Sequence, residues 1–264
     1  AEIAAHPGAA MIFSDEDAID EQGLRFGPNF KPDWNEELML GQNAFSHLGV
    51  FRAAEVRRLG GFRSDLDGSQ DWDLALRVAD AVGASRIRHI PHVLYHWRQS
   101  VRSRSPAQFS QRQGARALAA GEHAIRDHLA RRGEGIGEVQ PVGSWLQVAH
   151  PLPSPAPTVS VIMVAGAPRS SARAAGRLLA VTRYDRWQLL VVAGSDPDLR
   201  TWQAFAALAG DARFRLLLLA DRAGPALLRN YAAGAVEGEV IVFLGEDVMS
   251  DDSDWLTVLV SQAS

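Results

Sequence analysis

The chain has 264 residues, 47% of them hydrophobic, which is enough apolar material for a sizeable core in one large or two smaller domains. With 27 basic against 31 acidic side chains and a formal charge of −4, it offers no excess positive charge for holding nucleic acid or an anionic membrane by electrostatics alone. The absence of cysteine excludes disulfides, a thiolate nucleophile and sulfur-ligated zinc, so a metal would have to be held by carboxylate, imidazole or water.

Residues Ala1 to Ala10 lack a basic start followed by a long apolar run and do not read as a signal peptide. A first strand is expected over Ala10 to Phe13, then a Gly- and Pro-rich loop through residue 32 and an amphipathic helix around Ala53 to Leu59. A second helix is predicted from Asp71 to Val82, and Arg88 to Arg98 reads as a short extended segment. Ser110 to Arg132 carries Ala115, Leu118, Ala119, Ile125 and Leu129 at near-helical spacing and is stopped by Gly133. A short edge strand is expected within Gly143 to His150.

Four prolines in the seven positions 151 to 157 prevent helix and interior strand, and mark the best candidate boundary. Beyond them, Val159 to Val164, Gln188 to Val192, Phe214 to Leu219 and Val240 to Leu244 are short apolar runs separated by helical segments. Such alternation predicts an α/β fold with a parallel sheet, which binds ligands at the carboxyl ends of its strands. The run Leu216 to Ala220 is far too short for the roughly 20 residues of a membrane span and reads as a buried strand.

Three segments carry chemistry. Ser14-Asp15-Glu16-Asp17 sets three carboxylates after the first strand, where they would suit Mg²⁺ or Mn²⁺ or simply form a solvated acidic turn. In Gln70-Asp71-Trp72-Asp73, Asp71 falls near a helix N-terminus, either as a base whose ionised form the helix dipole favours or as an N-cap. Arg77 is placed to pair with Asp73 one turn on. His89, His92 and His96 lie on one extended segment, where alternation of side chains leaves room for one metal ligand at most.

In order, Ser14-Asp15-Glu16-Asp17, Pro28-Asn29-Phe30-Lys31-Pro32-Asp33-Trp34, Gln42-Asn43, Gly60-Gly61-Phe62-Arg63, Gly68 to Leu74 and His89 to Arg98 together resemble the family 2 glycosyltransferases that build bacterial surface polysaccharides. The resemblance implies the GT-A fold, a nucleotide-sugar donor, a saccharide or lipid-linked saccharide acceptor, and inversion by single displacement. It implies Asp71 as base, with Gln70, Trp72 and Trp34 toward the acceptor. A divalent cation, Mn²⁺ or Mg²⁺, would be held at the end of a fourth strand and neutralise the departing nucleoside diphosphate.

That strand should precede residue 14, but a donor-like half comes later, from Pro157-Thr158-Val159-Ser160-Val161-Ile162 to Phe243-Leu244-Gly245-Glu246-Asp247. There the resemblance gives Glu246 and Asp247 to metal and donor and Asn230 to the donor, with Asp15, Asp17 and His96 as further candidate ligands. It departs from the family at Met163-Val164-Ala165-Gly166 and at Val191-Val192-Ala193-Gly194, where polar and acidic residues are usual. Residues 1–105 thus read as the acceptor-side half of one transferase domain, 106–157 as a helical and Pro-rich linker, and 158–264 as the donor-side half of a second. Residues 158–264 followed by 1–105 would also make one permuted domain.

The expected setting is cytoplasmic, at the inner face of the membrane through a parent protein, without a transmembrane segment or nucleic-acid partner. Two further readings are a non-catalytic carbohydrate- or partner-binding module and, more distantly, a hydrolase using Asp15 and Asp17.

Overall fold

A computed structural model describes residues 1–98, 111–133, 138–194, 199–219 and 223–263. The chain is mixed α/β and divides into two compact units, residues 1–150 and 151–264.

The first unit comprises, in chain order, α1 (Glu2–Ala5), β1 (Met11–Ile19), β2 (Arg25–Asn29), α2 (Glu36–Gly41), β3 (Gly49–Phe51), α3 (Ala53–Arg58), α4 (Gln70–Val82), β4 (Ile87–Arg98), α5 (Gln111–Arg132), β5 (Val139–Val142) and β6 (Trp145–Val148). Strand β1 pairs in parallel with β4 along its whole length. It pairs antiparallel with β3 through Met11 to Phe13 and with β2 from Glu16 onward.

The sequence predicts a stop at Phe13, yet β1 runs on to Ile19. The reason is pairing: Asp15, Glu16 and Asp17 each meet a hydrogen-bonding or cationic side chain, so the acidic stretch is satisfied inside the sheet and needs no solvated turn. Two register irregularities in the β1–β4 pairing, between Ser14 and Asp15 and between Asp15 and Glu16, re-aim these side chains.

Helix α4 buries Trp72 to Leu76 together with Val78 and Ala79, nearly its whole circumference, against Met11 and Phe13 of β1 and Ala124, Ile125 and Leu129 of α5. Gly121 makes that contact close: a Cβ there would stand 2.6 Å from the Trp72 ring. Helix α5 and strands β5 and β6, read from sequence as part of a connector, therefore contribute to the core of the first unit; Leu146 and Val148 of β6 are buried in the same cluster. Apolar spacing along α5 revealed its helix but not what its apolar face packs on.

The second unit comprises β7 (Val159–Val164), α6 (Pro168–Val181), β8 (Trp187–Gly194), α7 (Leu199–Ala206), β9 (Phe214–Leu219), α8 (Pro225–Gly234), β10 (Val240–Leu244) and α9 (Trp255–Ala263). Its sheet is wholly parallel in the order β10-β7-β8-β9. Val159, Val161, Met163, Leu189 and Val191 face α6, α7 and α9, whereas Ile162, Leu190 and Val192 face α8. Burial on both faces is why these strands read as near-continuous apolar runs. Strand β9 is an edge and its Leu216 to Leu219 are only half-buried, so the expectation of a fully buried strand is corrected; Ala220 lies outside the described residues.

Each unit has its own sheet and its own core clusters. Among the described residues no helix is long and apolar enough to cross a membrane.

Candidate active site

Asp71 lies in the first turn of α4, half-buried. Its Oδ2 accepts from Asn43 Nδ2 at 3.1 Å and from the Ser46 hydroxyl, and Asn43 Nδ2 also donates to Ser46 Oγ at 3.1 Å. Beneath this loop, the buried Lys31 ammonium donates to the carbonyls of Ser46 at 2.7 Å and His47 at 2.9 Å, and its Nζ stands 3.7 Å from Glu16 Oε1. Burial drives the Lys31 pKa down against the opposing pull of Glu16 and Asp15.

Glu16 in turn accepts from the backbone N–H of His47 at 3.1 Å and pairs with His47 Nδ1 at 3.2 Å. Burial pushes its pKa up, but the His47 hydrogen bonds and the Lys31 charge outweigh that and hold it below the ordinary glutamate value. The result is a chain of fixed polar groups from Glu16 through Lys31 to the loop that cradles Asp71. Asn43 and Lys31 lie in motifs that the sequence singles out; Ser46, His47 and Glu16's role as a clamp carry no periodicity or spacing signal.

The other expected residues are distributed differently. Trp72 is buried in the core, its indole N–H donating to Met39 O at 2.8 Å, so it is a packing residue and not an acceptor contact. Trp34 is half-buried against the same core. Gln70 closes its own turn, its Oε1 accepting from Gly68 N–H at 2.7 Å. Asp73, with no exposed side-chain surface, is clamped by Arg77 at 2.7 Å and Arg63 at 2.9 Å. Arg77 does more than pair along the helix, because it also donates to the carbonyls of Leu59 and Gly61 and so ties down the turn after α3.

Asp15 and Asp17 are corrected as open metal ligands. Asp15 is buried between Lys31 N–H at 2.9 Å and His89 Nε2 at 2.8 Å, and His89 also faces Asp33 at 3.4 Å. Asp17 pairs with His96 Nδ1 and with Arg25 Nε at 2.6 Å, so His96 is a carboxylate partner. Burial raises the Asp17 pKa less than His96 and Arg25 lower it. His92 is exposed, and a three-histidine centre does not form. With both acids engaged by hydrogen-bonding partners, an acid-and-base pair of the hydrolase kind is not built either.

In the second unit, β7 and β10 are adjacent although first and last in the chain, which makes the crevice at their carboxyl ends the switch point of the sheet. Glu246 sits there, but its Oε2 accepts from the N–H groups of Gly166 at 2.6 Å and Ala167 at 2.8 Å and from Ser171 Oγ at 2.7 Å. It caps α6. The fit is tight, since a Cβ on Gly166 would fall 2.5 Å from Glu246 Oε1. The Ser171 hydrogen bond, with the two backbone N–H groups, outweighs burial and lowers the Glu246 pKa. Asp247 is exposed, and Asn230 is exposed on α8.

Among the described residues, one grouping of three ligand-type side chains occurs, Glu36, Asp80 and His128. Arg132 pairs with Glu36 at 2.6 Å and Arg131 with Asp80 at 2.7 Å, so two guanidinium groups already neutralise those carboxylates. An apolar cavity of about 480 Å³ between α7 and β9, lined by residues such as Phe205, Phe214 and Leu216, has no titratable side chain among its described lining residues.

With this geometry in view, the chain is a mixed α/β protein similar over nearly its whole length to sections of two longer bacterial proteins. It is 34% identical over 261 residues to the O-antigen biosynthesis protein RfbC of Myxococcus xanthus, covering 98% of this chain and 20% of that protein. It is 37% identical over 265 residues to the uncharacterised protein y4gI of Sinorhizobium fredii, covering 99% of this chain and 29% of that one. The chain thus spans less than a third of the length of either relative.

Among solved structures, it is similar in part to two proteins. One is S. aureus TarS, at 20% identity and a TM-score of 0.35, covering 39% of this chain and 31% of that one. The other is the Pyrobaculum calidifontis mannosyltransferase solved with GDP-mannose and Mn²⁺, at 20% identity and a TM-score of 0.37, covering 56% of this chain and 42% of that one. No family model matches the chain.

Proposed function

We propose that the chain is a section of a glycosyltransferase that moves a sugar from a nucleotide-sugar donor to a saccharide acceptor in bacterial surface-polysaccharide synthesis, with the first unit as the acceptor side and Asp71 as base. The observation that carries this reading is the Asp71 cradle: an acid on a long helix's first turn, half-buried, with one carboxylate oxygen oriented by Asn43 and Ser46. The likeness to an O-antigen biosynthesis protein supports the pathway class.

In the proposed reaction, Asp71 removes the proton from an acceptor hydroxyl as its oxygen attacks the anomeric carbon of the donor, and the nucleoside diphosphate leaves from the opposite side. Asn43 and Ser46 keep the carboxylate aimed, and Lys31 holds the Ser46–His47 backbone that carries them. A divalent cation would supply charge neutralisation at the leaving diphosphate. In the second unit, the oxygen donors of Glu246 and Asp247 suit such an ion by type, but Glu246 Oε2 is consumed by α6 and no third ligand joins them among the described residues. No step is assigned to that pair.

The two units are read as parts of two different transferase domains. The collinear match to a section of longer relatives supports this over a permuted domain. A second reading, a binding module without donor chemistry, is favoured for the second unit alone by the seating of Glu246 on α6. Assay of nucleoside-diphosphate release on Asp71→Asn, made in the longer protein that supplies the donor half of the Asp71 domain, tests the first reading: transfer is expected to fall by about a hundredfold or more, and unchanged turnover rejects it.

A further inference from the structure

We infer that His47, Tyr95 and Trp97 form a platform on which a pyranose ring of the acceptor stacks; this deepens the proposed transferase reading of the Asp71 site. The His47 ring lies 5.1 Å from Tyr95 at 20° between planes and 6.0 Å from Trp97 at 37°. Trp97 is 42% exposed and the His47 side chain 45%. His47 and Trp97 thus present substantial surface to solvent, with the half-buried Tyr95 ring stacked on His47, although aromatic groups gain most from being covered.

The platform is held rigid from below. Glu16 fixes both the backbone N–H and Nδ1 of His47, and Lys31 fixes the carbonyls on either side of the Ser46–His47 link. Committing a buried ammonium and a half-buried carboxylate to one exposed loop residue is preorganisation, which lowers the ordering cost of a ligand. The strand register sets Tyr95 opposite Glu16 and Trp97 opposite Ala18, so β4, paired with β1, carries the other two rings on regular structure and not on a loop.

Charge decides what kind of ring fits. The neighbouring polar groups are the carboxylates of Glu16 and Asp71 with the Ser46 and Asn43 side chains, and the Lys31 ammonium is already spent on two carbonyls. A nucleoside diphosphate would bring its negative charge toward acids, whereas a neutral sugar offers an apolar C–H face to the rings and hydroxyls to the acids. Because Ser46 touches Asp71 and precedes His47, a sugar on the platform lies beside the candidate base.

Saturation-transfer NMR on the full chain tests this, with methyl glycosides of rhamnose, mannose and glucose and, separately, UDP and GDP as probes. Transfer to ring C–H protons of at least one glycoside is expected, reduced about fivefold or more in Trp97→Ala and restored in Trp97→Phe. The inference is overturned if no glycoside receives transfer, if Trp97→Ala leaves it unchanged, or if the Trp97-dependent signal falls on the nucleobase protons of UDP or GDP. Unchanged turnover in Asp71→Asn would sink the base assignment alone, since platform binding is read on Trp97 without any turnover.

Discussion

Both units set acidic side chains at or beyond the end of an apolar strand, and the two outcomes differ. In the first, β1 continues through Asp15, Glu16 and Asp17 because β4 and the loops bring His89, His96, Arg25, Lys31 and His47 alongside. In the second, β10 ends before Glu246, whose carboxylate finds no such cation and turns instead to the backbone N–H groups at the start of α6. A carboxylate after an apolar run is therefore resolved by what the neighbouring element offers it: ion pairs from a strand in one case, helix donors in the other. Asp15, Glu16, Asp17 and Glu246 are thus engaged by the protein itself, and the carboxylate proposed to carry chemistry is Asp71, on a helix whose cradle comes from a loop.

The largest expected effect that probes this contrast is on Asp73. Asp73→Ala leaves Arg63 and Arg77 without their buried counter-charge and should cost the first unit about 3–5 kcal/mol, read by urea unfolding, with the second unit's transition unmoved. A loss shared equally by both transitions would break the separation into two cores. Next, Gly121→Leu forces atoms into the Trp72 ring and is expected to destabilise the first unit by about 1–3 kcal/mol; a neutral result would show that α4 and α5 do not pack as described.

Glu246→Ala removes the α6 cap and should cost the second unit about 0.5–2 kcal/mol, with faster amide exchange at Gly166 and Ala167. Full retention of exchange protection there would show that Glu246 is not bound to α6 in solution. The smallest effect is on pH. Glu16 and Asp80 are held below their ordinary values, Glu16 by His47 and Lys31 and Asp80 by His128 and Arg131, in each case against the upward push of burial. Their stabilisation is full above the ordinary carboxylate range and is lost as pH falls through the lowered folded values, so the first unit's melting temperature should drop below about pH 4. Replacing Glu16 by Gln should flatten that drop; an unchanged slope contradicts the assignment.

The second unit was the more legible in sequence. Its four strands bury both faces, so Val159 to Val164, Val240 to Leu244 and their neighbours announce themselves as apolar runs at regular intervals. The first unit hides its architecture because polar residues do structural work: β1 contains three acids, β4 contains three histidines and a proline, and both become strands only once paired with each other. Pattern reading stops at Phe13 for that reason. For the site, the order of short motifs drew attention to Asp71, Asn43 and Lys31, but not to Ser46 or His47, which the chain brings to Asp71 from 25 and 24 residues upstream. Trp72 shows the converse error, an aromatic beside a candidate base that the helix turns into the core.

The most direct test of the account is the kinetic split in Asp71→Asn, made in the longer protein that supplies the donor half of the Asp71 domain, with nucleoside-diphosphate release followed at varied acceptor concentration. The account predicts kcat lower by about a hundredfold or more, acceptor KM within a few-fold, and an unchanged unfolding midpoint for the first unit, because the amide keeps the cradle but cannot take the proton. A kcat within twofold of the unsubstituted protein, with the same KM, would contradict it.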